Sequence, residues 1–388
     1  MGDAIALDET SVLSEASRRE GGLGDFGDPA FREPLRHLLA ALDDEAELHE
    51  QGRVVQFERI VGLLRNRLRS EEAIRRHPEI LDERIDDPIV IVGLMRTGTT
   101  MLHRMTASDP RLFALLWYES RHPAPFRNAD PAGPDPRIED AEREVEAMLG
   151  ASPDLIAAHP MDAHAPDEEI MLVEHSFLST NPYAFCNIPG FARWRDAQDL
   201  APGYRLLDRL LRFLQWQKRA RGEGGRRWIL KTPFHLMHMD QLLRTFPTAR
   251  VVWTHRDPAQ SVPSFASLIH TLRATCSDRV DPLAVGSQWC ELFARATERS
   301  LDARAGCEER FLDVDYRELV ADPLAQVARI YAWAGLSFPE EVRARMQRWA
   351  RENARDKRPV HRYTLERFGY REEGLRRAFA RYCERFIG

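Results

Sequence analysis

The amino-acid sequence predicts a three-layer α/β fold around a parallel central sheet, and three observations carry that expectation. A β-branched, apolar run at residues 89–92 ends in a glycine and leads straight into a helix-like stretch, the grammar of a strand, a tight loop and a helix. From residue 204 onward, helical and strand patterns alternate, which is how parallel sheets are built. Finally, 388 residues with 43% hydrophobic content suffice for one large core.

Taken in order, residues 1–25 mix small and charged side chains with "GGLGDFGDP" and are expected to form a flexible arm. Residues 26–85 place Leu35, Leu38, Leu39 and Leu42, then Ile60, Leu63, Leu64 and Leu68, at helical spacing. Two or three helices packed on the main body follow from that. Residues 86–388 then make up the α/β domain. Its first strand, 89–92, precedes a helix, "TTMLHRMTASDP", that Asp109-Pro110 stops. The proline-rich "RHPAPFRNADPAGPDP" reads as an irregular loop before a helix at 138–149, and an acidic, aromatic region spans 159–194. These segments form a helical insert at about 120–225. Next come the helix "YRLLDRLLRFLQWQKRA", the strand "RWILK", the helix "HLMHMDQLLRTFP", the strand "ARVVWTHRD" and the helix "PAQSVPSFASLIHTL". A helix at 285–305, the strand "RFLDVDY" and one helix over "ELVADPLAQVARIYAWAGL" complete the pattern. Ligands in such a sheet sit at the strands' C-terminal ends.

Composition excludes several classes. Lys and Arg number 55 against 61 Asp and Glu, a net charge of −6, so no nucleic-acid partner is expected. The five cysteines are scattered without a CxxC pair, which argues against a zinc site or a disulfide framework and fits a cytoplasmic setting. The start of the chain lacks the basic and then apolar order of a secretory signal. No apolar stretch reaches the ~18 residues of a membrane-spanning helix, so any membrane contact is expected to be peripheral.

The chemistry starts at "GLMRTGTTML". Gly93 and Gly98 have the G-x-x-x-x-G spacing of a phosphate-cradling loop, which makes this a P-loop-type fold. The lysine that would neutralise a triphosphate is replaced by Thr99, and the loop's cation is Arg96. A magnesium-dependent enzyme would end a neighbouring strand in aspartate, yet "RVVWTHRDP" places Thr254, His255 and Arg256 first. Two cationic anion sites and no metal ligand suggest a nucleotide with phosphates at two separate positions.

That combination resembles the sulfotransferases that use 3′-phosphoadenosine 5′-phosphosulfate (PAPS). "MRTGTT" is similar to their 5′-phosphosulfate loop, [KR]-[ST]-G-T-[ST], matched by Arg96, Thr97, Gly98, Thr99 and Thr100. "THRDPAQSVPSFASL" is similar to their 3′-phosphate block, with Arg256 and Ser264 in the clamping places. "VDYRELVADP" is similar to the stretch whose Tyr approaches adenine, here Tyr316, and "LKTPFHL" puts Lys231 where the family has its catalytic lysine. The chain departs from the cytosolic branch, which has a base histidine two residues after that lysine where Pro233 stands here. The C-terminal R-K-G-x-x-G block is also missing, and the end "HRYTLERFGYREEGLRRAFARY" resembles a bacterial branch instead.

The resemblance implies transfer of a sulfuryl group from PAPS, with no metal, to a hydroxyl or less readily an amine. Lys231 and Arg96 would stabilise charge, and Glu119 in "LLWYESRHP" is the first candidate for general base. His235 and the pair Glu168 and Glu169 are the other candidates. Trp117, Tyr118, Phe177, Tyr183 and Phe185 would line an apolar pocket for a small, lipid-like acceptor. The alternatives are a P-loop kinase using ATP and magnesium, and a non-catalytic nucleotide-binding protein.

Overall fold

A computed structural model describes residues 5–130, 133–151, 161–353 and 364–388. Five strands form one parallel sheet in the order β2-β3-β1-β4-β5. They are β1 (Ile89–Gly93), β2 (Leu112–Ala114), β3 (Arg227–Lys231), β4 (Arg250–His255) and β5 (Phe311–Asp315). Helices cover both faces, so β1 at the centre must be apolar on each side. Val90 and Val92 enter one core with Trp228, Leu230, Val251 and Trp253. Ile89 and Ile91 enter the other with Ile229, Val252 and Val314. This two-residue alternation between two buried faces is why the strand reads as an unbroken apolar run.

Register decides what the sheet presents at its C-terminal edge. Ile91 of β1 lies opposite Lys231 of β3 and Val252 of β4, while Gly93 lies opposite Thr254. Lys231, the loop after Gly93 and the turn after His255 therefore leave the sheet side by side. The helix Ala201–Ala220 packs its Leu207, Leu211 and Leu214 into the first core, and the helix Pro323–Trp333 packs Val327 and Ile330 into the second.

Three expectations change. Within the segment expected to be a flexible arm, Glu9–Arg19 is a helix. Asp8 caps it by accepting from the Ser11 amide, and Val12 and Ala16, one turn apart, are fully buried against the helix Glu50–Arg76. The single helix expected from 318 to 336 is two, Tyr316–Ala321 and Pro323–Trp333. Pro323 lacks an amide hydrogen and its ring blocks the preceding turn, so Asp322 becomes a new N-cap, accepting from the Ala325 amide. The helix expected at 235 begins as a 3-10 turn, Pro233–His238, before Met239–Thr245. Residues 159–160 of the acidic region and 361–363 of the C-terminal block lie outside the described residues. All five thiols are free. Among the described residues no helix is long and apolar enough to cross a membrane.

Candidate active site

The loop after β1 is shaped by two left-handed residues. Gly98 has φ 85°, and a Cβ there would sit 2.9 Å from Leu319 Cδ2 and 3.4 Å from the Tyr316 ring, so only glycine fits. Arg96 has φ 65°, a conformation a side-chain-bearing residue keeps only when its surroundings impose it. Here the Arg96 carbonyl accepts from Arg256 Nη1 at 2.8 Å. Gly98 is also the N-cap of the helix Thr99–Thr106 and provides no side-chain cap, leaving first-turn amides to meet an anion. Thr97 is placed differently from expectation. Its buried hydroxyl donates to Leu94 O at 2.5 Å and lies 2.7 Å from Thr254 Oγ1, so it ties the loop to β4 rather than offering a ligand group. Thr99 is buried and Thr100 half-buried at the helix start.

Arg256 follows β4 directly. Its guanidinium lies 4.3 Å from the Tyr316 ring centroid, donates through Nε to Gln260 at 3.1 Å, and reaches the loop carbonyl just described. The structure thus brings Arg96, Gly98, Arg256 and Tyr316 into one contiguous patch. Ser264 is buried in the second turn of the helix Pro258–Ala274, which starts just after Arg256. The Arg256 amide donates to Tyr382 Oη at 3.3 Å, a contact from the far end of the chain that no local pattern announces.

Lys231, at the end of β3, is 2% exposed. Its Nζ donates to Glu168 Oε1 at 2.5 Å, and the Thr232 hydroxyl donates to the other oxygen of the same carboxylate at 3.0 Å. The Lys231 amide donates to Glu169 Oε2 at 2.8 Å. Glu169 Oε1 lies 2.8 Å from His235 Nε2, and His235 Nδ1 lies 2.8 Å from Tyr204 Oη. A cation and a proton acceptor therefore meet at the same strand end as the phosphate loop. His103, on the loop's helix, is fully buried under this end. Burial, with the Lys231 charge adding, holds its imidazole well below the ordinary value, so it is neutral.

Glu119 is elsewhere in the bonding pattern. Its carboxylate has no exposed surface and accepts from Lys218 Nζ at 2.8 Å, Arg221 Nη2 at 2.9 Å and the Leu116 amide at 3.0 Å. None of its hydrogen bonds reaches Lys231, Glu168 or the loop. The aromatic side chains expected to line one pocket are also dispersed. Trp117 and Tyr118 pack in a small cluster with Ala141 and Ala163, whereas Phe177 and Tyr183 belong to the main core. Phe185 lies under the Arg59 guanidinium at 4.0 Å. A groove of about 770 Å³ lined by Arg67, Glu71, Arg205, Arg209 and Arg244 includes none of the residues at the sheet edge.

Comparison with known proteins gives a consistent result. A family model described as the sulfotransferase family matches residues 88–340. Two proteins named omega-hydroxy-beta-dihydromenaquinone-9 sulfotransferase Stf3, from Mycobacterium bovis and Mycobacterium tuberculosis, are each 30% identical over 293 residues, 72% of this chain and 71% of theirs. Among solved structures, sulfotransferase STF1 from Mycobacterium tuberculosis H37Rv superposes with a TM-score of 0.83 at 30% identity, covering 98% of this chain and 100% of that one. Sulfotransferase STF9 from Mycobacterium avium superposes with a TM-score of 0.87 at 28% identity, covering 100% and 98%.

Proposed function

The chain belongs to the sulfotransferase family, and from that premise we propose that it moves a sulfuryl group from PAPS to a hydroxyl of a small, apolar, lipid-like acceptor. The observation that carries this reading is the Lys231–Glu168 pair at 2.5 Å, beside a phosphate loop whose helix-start amides are uncapped. When bound, PAPS supplies an activated sulfuryl group on a phosphosulfate, with a second phosphate on the ribose. The residues present fit such a nucleotide. Arg96 and the first-turn amides of Thr99–Thr106 would hold the 5′ end, and Arg256 with Ser264 the 3′-phosphate. Tyr316, already under the Arg256 guanidinium, would flank the adenine.

Lys231 is the buried cation that would offset charge at the leaving oxygen. Glu168 is the better base than Glu119, because a base must reach the acceptor proton: the Glu168 side chain is 16% exposed beside Lys231, whereas that of Glu119 is fully enclosed against Lys218 and Arg221. The Lys231 ammonium and the Thr232 hydroxyl both donate to Glu168 and hold it beside the cation. The acceptor class is supported by the two Stf3 relatives, whose name specifies a hydroxylated menaquinone.

The test compares thermal shifts with adenosine 3′,5′-bisphosphate and with ADP, followed by transfer of ³⁵S from labelled PAPS to a lipid extract and to a carbohydrate pool. The bisphosphate should stabilise the protein more than ADP, and label should enter the lipid fraction. Lys231→Ala should reduce transfer by about a hundredfold or more. Equal stabilisation by ADP would refute the nucleotide assignment; label in carbohydrate alone would refute the acceptor class.

A further inference from the structure

The groups beneath the Lys231–Glu168 pair carry a further inference, which rests on the sulfotransferase reading of that pair. Glu169 and His235 are 0% exposed and Tyr204 is 3% exposed, so none of the three can touch an acceptor from solvent. They are bonded in series, Tyr204 Oη to His235 Nδ1 at 2.8 Å and His235 Nε2 to Glu169 Oε1 at 2.8 Å. The series ends on the main chain of Lys231, whose amide donates to Glu169 Oε2 at 2.8 Å.

Why a carboxylate is there follows from the sheet. Strand β2 stops opposite Ile229, so the Lys231 amide lies beyond that ladder and takes Glu169 as its acceptor. Glu168 and Glu169 are chain neighbours. Fastening Glu169 to the Lys231 backbone therefore brings Glu168 to the Lys231 side chain. A buried carboxylate is tolerated only with donors on its oxygens, and Glu169 needs one more besides the Lys231 amide.

His235 meets that need when Nε2 carries a proton. A neutral imidazole donates from one nitrogen and accepts at the other. Burial, with the Glu169 charge adding, keeps the Tyr204 hydroxyl protonated, so it can donate to Nδ1. The ring's proton then resides on Nε2, facing Glu169.

We propose that Tyr204, His235 and Glu169 form a positioning chain that sets Lys231 against Glu168, with His235 carrying a proton on Nε2 and not acting as the base. It is a role none of the three would have by touching substrate. Tyr204 donates to His235, His235 donates to Glu169, and Glu169 holds the strand end from which the catalytic ammonium projects.

Two measurements test this. Long-range ¹H–¹⁵N correlation on ¹⁵N-histidine-labelled wild-type protein should show His235 protonated on Nε2, and Tyr204→Phe should disturb that signal; this readout needs no substrate. In kinetics, Tyr204→Phe should lower kcat by about tenfold to a hundredfold through misplacement of the reacting groups. The affinity for adenosine 3′,5′-bisphosphate by calorimetry should stay within about twofold, because the nucleotide-binding groups are untouched. His235→Gln, which keeps a donor for Glu169, should retain more activity than His235→Leu. A wild-type Nδ1–H tautomer, an unchanged kcat in Tyr204→Phe, or equal loss of kcat, nucleotide affinity and thermal stability would each overturn the proposal. Failure of the wild-type protein to transfer any label would instead count against the sulfotransferase reading, with the tautomer result standing apart.

Discussion

At the scale of single residues, the two candidate bases each meet a buried lysine but differ in exposure, the Glu119 side chain having none and that of Glu168 being 16% exposed. Glu119 neutralises Lys218, whose side chain is 2% exposed, and removing that charge leaves the buried ammonium only the more distant Glu223 carboxylate, 3.6 Å away. Glu119→Gln should therefore cost about 3–5 kcal/mol of stability and lower the melting temperature by several degrees. Glu168→Gln likewise takes the carboxylate from a buried ammonium, that of Lys231, so it too should lower the melting temperature, and it should in addition reduce kcat by about a hundredfold or more. Calorimetry and initial rates on the two variants separate the roles, and a catalytic collapse confined to Glu119→Gln would return the base to that position. Lys231, Arg96, Arg256 and Tyr316 stand out in the sequence as candidates because ordered motifs carry them. Choosing among Glu119, Glu168 and Glu169 could not be done that way. All are carboxylates near apolar and aromatic residues, and only their partners differ.

At the scale of elements, the helix Ala380–Phe386 reaches back to the turn after β4 at the edge of the sheet. Tyr382 Oη accepts from the Arg256 amide at 3.3 Å and lies 3.3 Å from His255 Nδ1. His255 in turn pairs with Asp313 at 2.8 Å and stacks on Phe386 at 3.8 Å between ring centroids. The helix thus braces the turn that carries Arg256. Tyr382→Phe should weaken binding of adenosine 3′,5′-bisphosphate by about threefold to tenfold, the worth of one ordinary hydrogen bond, with isothermal titration as the check. Unchanged affinity would show that the turn holds its shape without the bond. The elements themselves were largely legible: "RWILK" and "ARVVWTH" read as strands because β-branched and aromatic residues run between breakers. The helix Glu9–Arg19 was not, since only Val12 and Ala16 are fully buried among charged neighbours.

Over the whole molecule, buried neutral histidines set the acid sensitivity. Burial lowers His175 from 6.5 to about 4, and burial likewise lowers His103, His238, His255 and His122. In the unfolded chain these rings take up protons near their ordinary value, while the folded chain resists until a lower pH. The unfolded state therefore binds more protons in between. Stability from this source is complete above about pH 6.5 and is lost as pH falls below it, for His175 down to about 4. Melting temperatures measured from pH 7.5 to 4.5 should be flat at first and then decline below about 6.5; a flat profile throughout would mean that the rings find compensating partners when charged. Taken by itself, the sequence determined the α/β class, the strand that feeds the glycine loop and the candidate cations at the sheet edge. Those features depend on local period and on spacing within continuous motifs, and both survive in one dimension. Only the tertiary structure decided which carboxylate meets Lys231, which histidine meets Glu169 and which distant tyrosine bonds the Arg256 amide. Each of those choices is made by sheet register and by packing between segments far apart in the chain, where spacing along the sequence carries no distance in space.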